Sequence, residues 1–185
     1  EIAKRVQDNP GTKIFTLPPL MHGAAQWSVM TALTTGQTIV FSANPSRFDA
    51  DEVVATVERE QVLAVQVVGD AMARPLADAL ERSSADLSSM AVVANGGALL
   101  APTAKQRLID VKPGLIIMDG VGSWETGIQM NHMSASGAVS TGKFNAGPDT
   151  VVANEELDSI LEPGHDSIGW LAQRGFVPLG YKGDA

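Results

Sequence analysis

Three short segments constrain the fold more than anything else in this chain. Leu63-Ala64-Val65-Gln66-Val67-Val68, Met90-Ala91-Val92-Val93-Ala94 and Leu115-Ile116-Ile117-Met118 are apolar at almost every position rather than at alternate ones. A strand of that kind has to be covered on both faces, as strands of parallel sheets are. The stretches between them have helical spacing. Asp49 stands just before Asp51-Glu52, and Val53, Val54 and Val57 then recur on one face. Asp70 to Arg82 reads as a helix that tolerates Pro75 near its first turn, and Pro102 to about Ile109 as a shorter one. Upstream, Lys13–Leu17 reads as a strand stopped by Pro18-Pro19. Gly23 to Thr35 follows as a helix ended by Gly36, with Ala24, Trp27, Met30 and Ala32 or Leu33 on its buried face, and Thr38–Phe41 is a further strand. Strand–helix alternation with right-handed crossovers predicts an α/β fold: a parallel, doubly wound, flavodoxin-like layered sheet.

The pattern changes after Gly127. Residues 128–149 are rich in Ser, Gly, Asn, Ala and Met without a sustained period and read as loop. Thr150–Ala153, Ser159–Leu161 and Ile168–Ala172 then read as short strands separated by turn residues such as Pro163-Gly164 and Arg174-Gly175. The expected organisation is an α/β unit over 1–127, a connection over 128–149 and the start of a small antiparallel β subdomain over 150–185. Incomplete edges in that last unit invite association, including with a second copy as a homo-oligomer. The chain opens on Glu1, has its first methionine at Met21 and stops in polar, glycine-bearing sequence, so it is expected to be an internal piece of a longer protein.

Composition excludes several classes of function. Thirteen Lys plus Arg against 21 Asp plus Glu, a net charge of -8, opposes a broad nucleic-acid surface. A phosphate site built from backbone N–H groups remains compatible with it. There is no cysteine, hence no disulfide and no thiolate nucleophile in this span. His22, His132 and His165 lie far apart, without metal-ligand spacing. No apolar run approaches the roughly 20 residues of a transmembrane span.

Three segments at strand ends carry groups useful for chemistry. In Leu17-Pro18-Pro19-Leu20-Met21-His22-Gly23-Ala24, Gly23 permits close backbone approach and His22 offers an imidazole, although a tight turn with a capping histidine has the same composition. In Asn95-Gly96-Gly97-Ala98-Leu99-Leu100, two glycines expose amides toward a flat base or a phosphate, or else simply turn strand into helix. The segment lacks the Gly-Lys-Ser/Thr ending of a Walker loop. In Met118-Asp119-Gly120-Val121-Gly122-Ser123-Trp124-Glu125-Thr126-Gly127, Glu125 is a candidate oxygen ligand for magnesium and Ser123 a hydrogen-bond donor. A solvated loop carboxylate is the plainer alternative for Glu125.

Taken in order and spacing, these segments resemble the adenylate-forming (AMP-binding) superfamily, and its bacterial fatty-acyl-CoA synthetases in particular. Leu17 to Gly23 is similar to the family's Pro-Leu-x-His-x-x-Gly region beside the acyl pocket. Gly96-Gly97-Ala98 resembles its Gly-Gly-Ala-Pro loop on the adenine side, with Leu99 for the proline. Gly122-Ser123-Trp124-Glu125 resembles the motif Tyr-Gly-x-Thr-Glu, whose glutamate holds magnesium, and Gly169–Gly175 with Pro178–Tyr181 resembles the entry to the family's small barrel. The resemblance implies an ATP-dependent acid–thiol ligase that forms acyl-AMP from a fatty acid and passes the acyl group to coenzyme A. By the same resemblance Glu125 and Ser123 are catalytic, and Glu125 carries Mg2+. Gly96, Gly97, Ala98, Asp119, Gly120, Val121, Gly122 and Trp124 would face the nucleotide, and His22, Gly23 and Trp27 the acyl group. A cytoplasmic enzyme, peripheral at the membrane at most, is implied.

Two positions depart from the motif: Val121 replaces a tyrosine that stacks on adenine, and Trp124 replaces a threonine or serine hydroxyl. The family's phosphate-binding loop, ribose-binding aspartate and adenylation lysine have no counterpart in this chain, so the isolated chain is expected to be inactive. The alternatives are an adenylation domain that loads a carrier protein and a non-catalytic nucleotide- or acyl-binding relative.

Overall fold

The computed structural model describes residues 11–183. Five parallel strands, β1 (Lys13–Thr16), β2 (Thr38–Val40), β3 (Ala64–Val67), β4 (Val92–Gly96) and β5 (Ile116–Ser123), alternate with α1 (Gly23–Thr35), α2 (Ala50–Glu60), α3 (Gly69–Arg82) and α4 (Pro102–Val111). Two antiparallel strands, β6 (Gly127–Ser134) and β7 (Asn145–Ala146), extend the same sheet, whose order is β2-β1-β3-β4-β5-β6-β7. β8 (Thr150–Ala153) and β9 (Trp170–Gln173) form a separate antiparallel pair. The result is a mixed α/β sheet with interspersed helices and a small antiparallel β unit.

Local chemistry sets the helix ends. The Asp49 carboxylate accepts from the N–H groups of Asp51 (3.1 Å) and Glu52 (3.3 Å), capping α2, while Arg59 complements the dipole in its last turn. Gly36, at φ 75°, closes α1 in the left-handed conformation, and Pro102 opens α4 where a missing N–H costs nothing. Pro75 stands at the seventh position of α3, deeper than expected from sequence; the helix is held there by Ala73, Leu76, Ala77 and Leu80, all buried.

The core lies on one face of the sheet. Phe15, Val65, Val67, Val93 and Ile117 meet Val53 and Val57 of α2, Leu76 and Leu80 of α3, and Leu108 and Ile109 of α4. Each such large side chain contributes about 1.5–3 kcal/mol by burial. Gln66, between Val65 and Val67, points to the other face, where its Nε2 donates to the Ala24 carbonyl of α1 (2.7 Å). Among the described residues α1 is the helix on that side, and it packs against β1 and β2.

Coverage of both faces, expected from the apolar runs, is therefore incomplete. Ile116, Met118 and Met133 point to the thinly covered side and stay exposed. α1 differs in the same way: Ala25 and Ala32 are buried, whereas Trp27, Met30 and Leu33, expected inside, are 41, 55 and 66 % exposed. Trp27 touches the start of β6 at Gly127 and is still partly exposed.

Residues 128–134, expected as the start of a loop, belong to strand β6. Its polar residues Gln129 and Ser134 are buried while Ile128 and Met133 face outward. The usual apolar-in pattern is inverted, and pairing with β5 holds the strand instead. Ser159–Leu161, expected as a strand, makes one isolated bridge from Ile160 to Ala153. Among the described residues no helix is long and apolar enough to cross a membrane.

Candidate functional site

In an open parallel sheet the carboxyl ends of the strands share one edge, and the loops that leave them can converge on a ligand. All three segments singled out in the sequence leave that edge. β1 runs into the turn before α1, β4 into Gly96-Gly97-Ala98, and β5 into the hairpin around Glu125. The register places Asn95 beside Asp119 and Gly96 beside Gly120, so the second and third segments are neighbours.

The first segment reaches the third through two indoles. A Cβ added to Gly23 would lie 3.3 Å from Cε2 and Nε1 of Trp124, so Trp124 leans on the first turn of α1. The ring of Trp27 lies over Gly127, 3.5 Å from where a Cβ would stand. His22 is the N-cap residue of α1 and is exposed. Its side chain makes no capping bond, and its backbone N–H donates to the Pro19 carbonyl (2.9 Å). Gln66 supports this corner from below, accepting from Thr16 Oγ1 (2.8 Å) while it holds Ala24.

Trp124-Glu125-Thr126 form the hairpin tip, closed by Gly127 at φ 68°. Val121 and Gly122 straddle a bulge in the pairing with β6. The Ser123 and Thr126 hydroxyls lie 3.0 Å apart. Glu125 is exposed, and the Ser123 hydroxyl foremost, then its own backbone N–H, holds its carboxyl below the usual carboxylate range. It is ionised at neutral pH and also accepts from the Tyr181 hydroxyl. Among the described residues, no three His, Asp or Glu side chains gather as a metal cluster.

A family model described as AMP-binding enzyme matches residues 2–176. The chain belongs to the AMP-binding enzyme family. It is 66 % identical over all 185 residues to the medium-chain acyl-CoA ligase Mig of Mycobacterium avium, covering 34 % of that protein. It is 34 % identical over 196 aligned residues to the 3-oxocholest-4-en-26-oate–CoA ligase of Rhodococcus rhodochrous, again covering all of this chain and 34 % of the relative. The chain thus spans about a third of the length of the curated relatives it matches. Among solved structures, the O-succinylbenzoate coenzyme A synthetase MenE of Bacillus subtilis, in complex with ATP and magnesium ion, shares the fold. The TM-score is 0.62 at 16 % identity, over 83 % of this chain and 31 % of that one.

The Gly96–Ala98 turn is held from two sides. Gly69, at φ 58°, opens α3 so close beneath it that a Cβ would lie 2.7 Å from the Leu99 carbonyl oxygen and 2.8 Å from Ala98 Cβ. The Asp70 N–H donates to the Leu99 carbonyl (3.2 Å), and the Asp70 carboxylate accepts from the Ala101 N–H (2.8 Å) and from Arg74 (2.7 Å). On the other side Asn95 Oδ1 accepts from the Gly69 N–H (2.7 Å), and Asn95 Nδ2 donates to Ala98 O (3.0 Å) and to Asp119 (2.9 Å). Asp119 itself is turned inward beneath the rim, with its other oxygen taken by Lys105.

Sequence reasoning missed Gln66, Asn95, Lys105, Thr126 and Tyr181. A glutamine inside an otherwise apolar strand and an asparagine just before a glycine pair were the available signals. Lys105 looked like any helix charge, and Tyr181 meets Glu125 from far along the chain.

Asp70 gives a pH signature. The Ala101 N–H foremost, and then Arg74, hold its carboxyl below the ordinary value. Its stabilising contribution is present above the unfolded pKa of about 3.9 and is lost as pH falls through the lower folded value. Asp70→Ala is expected to unfold at lower urea than wild type at about pH 7, with the gap narrowing toward about pH 3. A gap that stays constant across that range would show that Asp70 acts through packing alone.

Proposed function

We propose that the protein carrying this chain is an ATP-dependent acyl-CoA ligase acting on a medium-chain or larger carboxylate. The observation that carries the reading is 66 % identity along the whole chain to a medium-chain acyl-CoA ligase. The 34 % identity to a 3-oxocholest-4-en-26-oate ligase keeps bulkier carboxylates within the substrate class.

In the first half-reaction a carboxylate oxygen of the acid attacks the α-phosphorus of ATP and pyrophosphate leaves, giving acyl-AMP. In the second, the coenzyme A sulfur attacks the acyl carbonyl and AMP leaves. The Gly96–Ala98 turn and the Gly120–Gly122 strand end offer a narrow, side-chain-poor wall for the adenine. His22, Gly23 and Trp27 border the acyl side. Trp124 rests on Gly23, and in this reading its indole stands between the acyl and nucleotide sides. No side chain has to act as nucleophile, because both attacking atoms belong to substrates.

The residues present suit Mg2+. Magnesium bound with a nucleotide takes one or two carboxylates and completes its shell with phosphate oxygens and water, and Glu125 is one ionised, exposed carboxylate at the hairpin tip. When bound, the ion would neutralise charge on the phosphates and polarise a P–O bond. The Ser123 hydroxyl beside Glu125 favours the charged form of that carboxylate.

The doubly wound form of the sheet belongs to the same proposal. The strand order β2-β1-β3-β4-β5 suits it, and the remainder of the protein would supply helices over Ile116 and Met118. A cytoplasmic location also goes with this reading, as does an isolated chain unable to complete a turnover. The test is acid-dependent ATP–pyrophosphate exchange and thioester formation by the whole protein, assayed beside the isolated chain, with medium-chain, long-chain and sterol side-chain acids. Exchange without coenzyme A acylation would turn the reading toward loading of a carrier protein, and no exchange with any of these acids would overturn it.

A further inference from the structure

Lys105 is a charged residue with no contact to solvent: its side chain is 0 % exposed, between the helix α4 and the sheet. Lysines are almost never this buried unless paired. Its ammonium donates to Asp119, and to the Ser140 carbonyl at 2.6 Å. Asp119 in turn accepts from Asn95, whose one amide group holds both the Gly69 N–H and the Ala98 carbonyl. The chain of bonds therefore starts at an ammonium in α4 and ends on backbone atoms of the Gly96–Ala98 turn and of the first residue of α3. A branch at Ser140 O ties in the segment after β6, where Ser140 Oγ and His132 Nε2 lie 2.8 Å apart.

Stability alone gives a poor account of such a pair, since apolar residues of similar volume often do as well or better than a buried ion pair. Direction distinguishes it. A carboxylate fixed by Lys105 accepts along one line from Asn95 Nδ2, and this orients the asparagine amide so that its oxygen meets Gly69 and its nitrogen meets Ala98. Without the ammonium, the Asp119 carboxylate loses its counter-charge and the amide loses the acceptor that fixes its rotation.

We propose that Lys105 is a positioning residue for the nucleotide site, setting the Gly96–Ala98 turn against the Gly120–Gly122 strand end through Asp119 and Asn95. The inference rests on the reading that this turn faces the adenine nucleotide. Lys105 touches no substrate in this arrangement, so its effect falls on where the rim stands. A rim displaced by about 1 Å weakens its use of the ligand on the order of ten- to a hundredfold.

The test uses the whole protein with Lys105→Met. Three quantities are read: ATP and AMP binding by calorimetry, the KM values for ATP and for the acid, and hydrogen exchange at the amides of Ala98, Leu99 and Gly122. The expected result is a folded variant with weaker binding of both nucleotides and a raised KM for ATP of at least about tenfold. The KM for the acid should be little changed, and exchange at those three amides faster. A folded variant with unchanged nucleotide affinity overturns the proposal. Should Lys105→Met fail to fold, Lys105→Met with Asp119→Asn removes both charges and leaves no carboxylate unpaired, and it is read in the same way. Failure of both to fold assigns Lys105 to stability and likewise overturns the proposal. Absence of nucleotide binding by the wild type would instead sink the functional reading, and faster exchange at the turn in Lys105→Met would still support its role in setting the rim.

Discussion

Gly122→Ala is expected to destroy the hairpin that carries Glu125. A Cβ on Gly122 would run into the Gly127 carbonyl oxygen, with the Gly127 carbonyl carbon at 2.8 Å and Ile128 Cα at 3.0 Å. All of these are backbone atoms of the paired strand, so no rotamer change relieves the overlap. The hairpin must either open or shift register, and a cost on the order of 4 kcal/mol or more places this among the most damaging single substitutions. Gly120→Ala is the control, because its Cβ would meet Asn95 O at 3.7 Å and Ile128 Cγ2 at 3.8 Å, ordinary contact distances. Urea unfolding of both variants checks the expectation. Similar midpoints for the two would show that the strands part easily and that the close approach is unimportant.

The second large effect is expected from Glu125→Gln in the whole protein. The substitution keeps shape and removes the charge that the Ser123 hydroxyl helps to hold at neutral pH. If Glu125 carries the magnesium, acid-dependent ATP–pyrophosphate exchange should fall on the order of a hundred- to a thousandfold, the size of effect seen when one preorganised charge-stabilising group is lost. The magnesium concentration for half-maximal rate should rise in parallel, while the KM for the acid stays near its original value. Because the carboxyl already titrates below the usual range, the wild-type rate should not lose this group until the solution is distinctly acidic. A Glu125→Gln enzyme with near-normal exchange at low magnesium would remove Glu125 from the metal site.

Much of this arrangement was legible in the residues. The uninterrupted apolar runs marked β3, β4 and β5 as parallel strands, Asp49 marked the start of α2, and the three glycine-bearing segments after strands do leave one edge of the sheet. The reading failed where a side chain's partner is not local. Trp27, Met30 and Leu33 have the spacing of a buried helix stripe, but spacing says nothing about whether another element arrives to cover it. Gln129 and Ser134 are buried polar residues in β6, and their pattern hid a strand held by its backbone. Trp124 showed its departure from the family motif plainly, while its direction depends on Gly23 leaving room on α1. Lys105 is unremarkable in sequence, Asp119 stood out only through the family motif, and their pairing emerges only once α4 is laid against β5.

One mechanical consequence follows from the length of β5. Up to Gly120 this strand is clamped between β4 and β6; from Val121 onward it has β6 as its partner and leaves the parallel sheet behind. The tip with Glu125 is thus a cantilever whose fixed end lies in the middle of the core, next to Ile117. Besides the two strands, Trp124 against α1 and Trp27 over Gly127 brace it, and the bulge between Val121 and Gly122 is where extra twist accumulates. A force on the tip would be spent as torsion at that section before it could disturb the sheet. The place where the tip is anchored is therefore set by β6 and by the contacts of Trp124 with Gly23, Trp27 with Gly127 and Tyr181 with Glu125, not by the parallel sheet.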